Sequence, residues 1–91
     1  MNKTDLAQTI ASKLDISKTS AHTLVDTVFE TIADAIVRGE RVLISDFGTF
    51  TVSHRRGFRG KNPKTGEGMD IAATQVPTFK TGRGLKARLN P

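Results

Sequence analysis

The chain has 91 residues, 36% of them hydrophobic and 25% charged, and its 14 Lys/Arg outnumber nine Asp/Glu to give a net charge of +5. That length makes one small domain; the absence of Cys excludes disulfides and thiolate metal sites, and His22 and His54 alone are too few for a metal centre. A small core without staples points to oligomerisation, most simply a symmetric dimer, and the basic balance points to a polyanionic partner.

The charge is divided along the chain. Residues 1–46 carry five Lys/Arg and seven Asp/Glu, a net of −2, whereas residues 47–91 carry nine and two, a net of +7. The first half therefore reads as scaffold and the second as the face turned to the polyanion. No apolar run approaches the length of a membrane span, and M-N-K-T-D-L-A at the start lacks the apolar centre of a secretory signal. The lack of Cys fits a reducing compartment, so a cytoplasmic location is expected.

A first helix is expected from Asn2 or Thr4, either of which can cap it, with Leu6, Ala7, Ile10, Ala11 and Leu14 forming one apolar stripe. Asp15 and Ile16 break the pattern, and Ser17 caps a second helix. Its wide stripe runs through Ala21, Leu24, Val25, Val28, Phe29, Ile32, Ala33, Ile36 and Val37. Asp26, Glu30 and Asp34 make its other face unsuited to phosphates, and Gly39 closes it. Together these form a helical part over residues 1–38.

The period then changes. Val42–Ile44 is a short strand-like run, and Asp46–Gly48 turns into a strand in which Phe50 and Val52 alternate with Thr51, Ser53 and Arg55. Residues 40–56 and 74–81 are expected to form a three-stranded antiparallel sheet, with Phe79 on its core face and Lys80 outward. Residues 57–73 form a long protruding hairpin arm between strands two and three, turning at Asn62–Gly66. Thr81 is placed as the cap of a short last helix within residues 82–91. The expected class is thus α+β, in the order ααβββα.

The arm is the informative segment. Arg55 to Gly66 reads R-R-G-F-R-G-K-N-P-K-T-G, with five Lys/Arg and no acid. A solvated loop would also be polar. Charges of one sign, glycines that let backbone approach a ligand, and a basic face continuing onto the strand at Arg55 favour a nucleic-acid backbone as partner. Arg55, Arg56, Arg59, Lys61, Asn62 and Lys64 are the candidate contacts. Pro63 reads either as an ordinary turn residue or as a rigid wedge lacking an N–H, and the two roles are compatible. Thr81-Gly82-Arg83-Gly84 reads as a helix start that could hold a phosphate, supported by Arg83 and Lys86, or as ordinary capping. Ser45, Ser53, His54 and Asp70 have no spacing that implies a catalytic triad, and Gly66-x-Gly68 is too short for a nucleotide loop, so no enzyme, cofactor or catalytic residue is expected.

Taken together, M-N-K-T-D-L at the start, G-E-R-V at 39–42, F-G-T-F at 47–50, G-K-N-P-K-T-G at 60–66, I-A-A at 71–73 and V-P-T-F-K at 76–80 resemble the bacterial histone-like HU family, whose relatives include integration host factor. The resemblance covers essentially the whole chain. It implies an intertwined dimer beneath a β-sheet saddle, with an arm from each subunit in the minor groove of DNA. On the same ground Phe29, Phe47, Phe50 and Phe79 would fill the shared core, and Pro63 would intercalate. Arg55, Arg59, Lys61 and Lys64 on the arm, with Lys80, Arg83 and Lys86 on the body, would contact phosphates. A nucleoid-associated protein that bends double-stranded DNA and prefers nicked, gapped or kinked duplex is implied.

Three residues depart from the family pattern. Asp46 stands where Gly is usual, Gly57-Phe58 is unusual in a polar arm, and Gly84 falls inside the last helix, where it is expected to weaken it by about 1 kcal/mol relative to Ala. Phe58 is expected either to stack on sugar or to pack on Met69 or Ile71. The arm, with little apolar area, is expected to be mobile without DNA. The alternatives are a sequence-specific bender of the integration host factor type, a ribosomal-type RNA-binding protein, and a helix-turn-helix regulator that the acidic second helix disfavours.

Overall fold

The computed structural model describes residues 1–91. Two helices come first, α1 (Lys3–Leu14) and α2 (Lys18–Val37). Asn2 caps α1 through a reciprocal box: its side chain accepts from the Asp5 N–H, and the Asp5 carboxylate accepts from the Asn2 N–H. Asp15 ends α1 in the left-handed region at φ 53°, Ser17 caps α2, and Gly39 follows α2 at φ 80°. Thr23, Thr27 and Thr31 each donate to the carbonyl four residues back, which satisfies their hydroxyls along one exposed face of α2.

The helices meet through small side chains. Ala7, Ala11, Ala21 and Val25 form the buried cluster, with Leu6, Ile10 and Ile16 packed against it. Only six of 91 residues are buried, and none is a large side chain fully removed from water. Phe29, Phe47 and Phe79 remain 48%, 45% and 42% exposed.

Five strands follow, three in the expected antiparallel sheet and two in the projecting arm. β1 (Val42–Ile44), β2 (Gly48–Arg55) and β5 (Thr74–Thr81) form one antiparallel sheet with β2 central. β3 (Phe58–Lys61) and β4 (Gly68–Ile71) form a separate ribbon. The hairpin is interrupted at Arg56-Gly57 and Ala72-Ala73. There the chain crosses so closely that a Cβ on Gly57 would lie 2.9 Å from the Ile71 carbonyl oxygen and 3.0 Å from the Ala73 nitrogen. The ribbon carries the molecule to 59 × 33 × 27 Å, with a radius of gyration of 19.0 Å; a compact domain of this length would have about 12 Å.

The last helix, α3 (Arg83–Leu89), does not start on a Thr81 cap. Thr81 belongs to β5, paired with Gly48, and Gly82 occupies the N-cap position without a side-chain bond. Sheet pairing claims Thr81 first, and the Gly82 N–H donates to the Phe47 carbonyl at 2.8 Å. Gly84 is not a simple weak point either. A Cβ there would lie 2.6 Å from the Asp46 carbonyl oxygen and 2.7 Å from the Asp46 Cβ. Asp46 itself sits at φ 63°, and its carbonyl accepts from the Leu85 N–H at 2.8 Å. The two departures face one another: the backbone carbonyl and Cβ of Asp46 together leave room only for Gly at 84.

Candidate nucleic-acid interface

The central strand β2 begins buried at Gly48 and ends exposed at Arg55, so it leads from the body to the arm. Phe50 packs on Phe79 across the sheet with ring centroids 4.9 Å apart, and Phe47 joins them at 5.6 Å. On the other face Ser53 shares a 2.8 Å hydrogen bond with Thr78.

Alternation gives the β3–β4 ribbon two unlike faces. Its register sets Phe58 opposite Ile71, Arg59 opposite Asp70, Gly60 opposite Met69 and Lys61 opposite Gly68. Phe58 and Ile71 lean over Gly60, where a Cβ would meet Ile71 Cδ1 at 3.2 Å and Phe58 Cε2 at 3.4 Å. Of the two expected roles for Phe58, cross-ribbon packing on Ile71 is therefore present in the free arm. On the opposite face Arg59 lies across Gly68 and pairs with Asp70 at 3.3 Å, both side chains largely in water. Asp70 is the partner sequence reading missed. The basic stretch ends four residues before it, and only the hairpin register shows that it answers Arg59.

The tip is a tight turn. Asn62 N–H donates to the Glu67 carbonyl at 2.8 Å, and Gly66 N–H donates to the Asn62 carbonyl at 2.7 Å, with Gly66 at φ 74°. Asn62 Oδ1 accepts from the Lys64 N–H at 2.9 Å, so this oxygen holds the turn and is taken up there. Pro63 is exposed at the apex with Lys61 and Lys64 beside it. Arg55 and Arg56 lie exposed at the arm's base.

The body supplies a second basic group. Lys80 lies on β5 opposite Thr49, and Arg83 and Lys86 lie one turn apart on α3, all exposed. The phosphate cradle expected at the start of α3 is reduced, because the Gly82 and Leu85 N–H groups are already bonded to Phe47 and Asp46. Away from these groups Lys3 pairs with Asp26 at 2.8 Å and ties α1 to α2. The hydrogen bond and charge of Asp26 raise the Lys3 ammonium above its ordinary 10.5, and the bond from Lys3 lowers the Asp26 carboxyl below its ordinary 3.8. No helix is long and apolar enough to cross a membrane.

Comparison with known proteins agrees in sequence and in shape. The sequence profile of the bacterial DNA-binding protein family matches residues 1–90. DNA-binding protein HU of Staphylococcus aureus is 45% identical over 86 residues, covering 94% of this chain and 96% of that protein. DNA-binding protein HU 1 of Bacillus subtilis is 44% identical, covering 94% of each. Among solved structures, Anabaena HU crystallised with DNA superposes with a TM-score of 0.90 at 36% identity, over 100% of this chain and 99% of that one. HU from Thermotoga maritima superposes with a TM-score of 0.70 at 31% identity, over 98% of each. Arm, sheet and helical pair are thus held in common with proteins related along their whole length, and the chain belongs to the bacterial DNA-binding protein family that includes HU.

Proposed function

We propose that the protein is an architectural DNA-binding protein that acts as a dimer, lays one arm from each subunit along the minor groove, and bends the duplex by inserting Pro63 between base pairs. The observation that carries this reading is the ribbon itself. It projects from the body, is rimmed by Arg55, Arg56, Lys61 and Lys64, and ends in a turn with Pro63 exposed at its apex. A two-stranded ribbon fits a groove, its cations neutralise phosphates, and a rigid ring without an N–H can enter a base step without an unsatisfied donor. An apolar wedge between base pairs unstacks the step and kinks the duplex.

The dimer follows from surface arithmetic. The chain exposes 7690 Å², whereas a compact monomer of its mass exposes about 5,200 Å². Part of the excess is the arm. Exposed apolar side chains contribute as well: Phe29, Val28 and Leu24 on α2, Phe47 in the turn before β2 and Phe79 on β5, with an open groove of about 640 Å³ between α2 and Ile44. A second copy covering these faces supplies the core that one subunit lacks. Its melting temperature should then fall on dilution.

Little sequence preference is expected, because the one amide at the tip, Asn62, uses its oxygen to hold the turn. Contacts to phosphate dominate instead, so affinity should fall roughly 10³–10⁵-fold between 50 and 200 mM salt if about 6–10 phosphates are neutralised. The protein works without cofactor or catalysis, in the cytoplasm on the nucleoid. The deciding experiment is competition between an intact duplex and the same duplex carrying a nick. Preference for the nick marks a protein limited by the energy of deforming DNA. Equal binding would return the reading to plain charge attraction, and preference for RNA to a ribosomal type.

A further inference from the structure

One acid stands inside the body's basic group. Lys80, Arg83, Lys86 and Arg88 lie exposed on β5 and α3, and the turn between β1 and β2 sets Asp46 against the start of α3. Backbone bonds fix that placement. The Asp46 carbonyl accepts from the Leu85 N–H and the Phe47 carbonyl from the Gly82 N–H, both at 2.8 Å, so the turn is fastened to α3 on either side of Arg83. Arg88 lines the same shallow hollow as Asp46 and Gly84. The Asp46 carboxylate enters none of the chain's three ion pairs, which are Lys3–Asp26, Arg38–Glu40 and Arg59–Asp70. It is an exposed negative charge without a partner, held where the chain otherwise collects cations.

We infer that Asp46 limits how much duplex one dimer holds. The inference rests on the proposed bend, which brings the DNA flanking the arms down onto the body. A phosphate that approaches Arg83 and Lys86 also approaches the Asp46 carboxylate and is repelled by it. A carboxylate that turns toward Arg83, Lys86 or Arg88 takes a cation from the phosphates instead, so both orientations weaken the flank contact. The arm lies outside this effect. The eight residues of β2, about 25 Å of strand, separate the turn from the arm's base at Arg55, well beyond the screening length of about 10 Å at 0.1 M salt. The outcome is a site dominated by the arms, with flanks that are weakly held.

The test compares wild type and Asp46→Asn on duplexes of about 15 and about 35 base pairs, each with one unpaired nucleotide at its centre to place the bend. At 3.4 Å per pair these measure roughly 50 and 120 Å, so the first is shorter than the 59 Å span of one subunit and only the second has flanks to lay on the body. Asn tolerates the left-handed turn and keeps the side chain's shape while removing its charge. The two proteins should bind the short duplex within about twofold of one another. On lengthening, Asp46→Asn should gain about three- to tenfold more affinity than wild type. Removing a carboxylate about 7 Å from a phosphate gives roughly 1.5- to 2-fold at each of two flanks at 0.1 M salt, and the freed cations add a similar share. The salt slope of the variant should steepen by up to about 2, on the long duplex only. Glu67→Gln removes the same charge from the arm's tip and should show no such dependence on length. Parallel gains with length for wild type and Asp46→Asn, or an equal length-dependent gain for Glu67→Gln, would overturn the inference while leaving DNA bending intact. Failure of wild type to bend the long duplex, read by energy transfer between its ends, would remove the placement of the flanks and the inference together.

Discussion

Asp70→Asn should strengthen DNA binding, and its size can be worked from the ribbon. Asp70 holds Arg59 at 3.3 Å, but the two side chains are 86% and 73% exposed, so the pair contributes only about 0.2–1 kcal/mol and is broken easily. Its effect on DNA is larger than on the arm. At about 7 Å from a phosphate in water the carboxylate costs about 0.6 kcal/mol, roughly halved by screening at 0.1 M salt. Releasing Arg59 removes the competing pair as well, for a total of about 0.5–1 kcal/mol per arm. Two arms give about 1–2 kcal/mol, or roughly 5- to 30-fold tighter binding at 0.1 M salt. If Arg59 then neutralises one phosphate per arm, the slope of log K against log salt should steepen by up to about 2. Titration of a labelled nicked duplex at four or five salt concentrations reads both quantities. Glu67→Gln is the control, since it removes an acid near the tip that pairs with no cation. Equal gains for Asp70→Asn and Glu67→Gln with parallel salt slopes would show that bulk charge matters and the pair does not.

Pro63→Ala should reduce the bend angle read by energy transfer across the duplex while lowering affinity only several-fold; an unchanged angle would remove the wedge. For Lys3–Asp26 the signs are opposite and complementary. Raised Lys3 contributes stability below its ordinary 10.5 that is lost as pH climbs through the raised value, and lowered Asp26 contributes stability above 3.8 that is lost as pH falls through the lowered value. Urea unfolding of wild type and Asp26→Asn should therefore differ by a constant amount between about pH 5 and 9 and converge in strong acid; a difference that persists there would assign it to packing. Gly84→Ala should destabilise by about 1–3 kcal/mol through overlap with Asp46, despite the better helix former. Asp46→Gly should restore only the part due to the Asp46 Cβ, since the nearer carbonyl oxygen stays, and a Gly84→Ala variant as stable as wild type would refute the contact.

Local chemistry made much of the fold legible. Asn2, Ser17 and Gly39 punctuate the helices, and the change from a period of 3.6 to a period of two at Val42 marks the sheet. Contacts between residues distant in sequence were not legible. Gly84 looked like a helix defect because helix propensity is local, whereas its neighbour Asp46 is 38 positions away and meets it only once β5 has paired with β2. Thr81 looked like a cap for the same reason: its residue type suits one, but the ladder to Gly48 competes and wins. The split of the hairpin at Gly57 depends on how closely two backbones cross, which no spacing of residue types encodes. Asp70 was invisible as a partner of Arg59 because register follows from the turn at Asn62–Gly66 and from where pairing restarts after the break.

The body and the arm share one deficiency, and each must meet it with a different surface. The body buries only small side chains and leaves Phe29, Phe47 and Phe79 half in water, so its missing core must come from a second copy. The ribbon has one cross-strand apolar pair, Phe58 with Ile71, too little to hold a two-stranded sheet firmly. Binding therefore carries two separate costs: ordering the arm, and deforming the duplex. A nick lowers only the second, whereas packing at Phe58 lowers only the first. Because they act on different molecules, the gain from a nick should be the same, within about 0.5 kcal/mol, for wild type and for Phe58→Leu. A nick that helped the variant far more than wild type would mean that the arm is ordered by the DNA bend itself, and that the two costs are one.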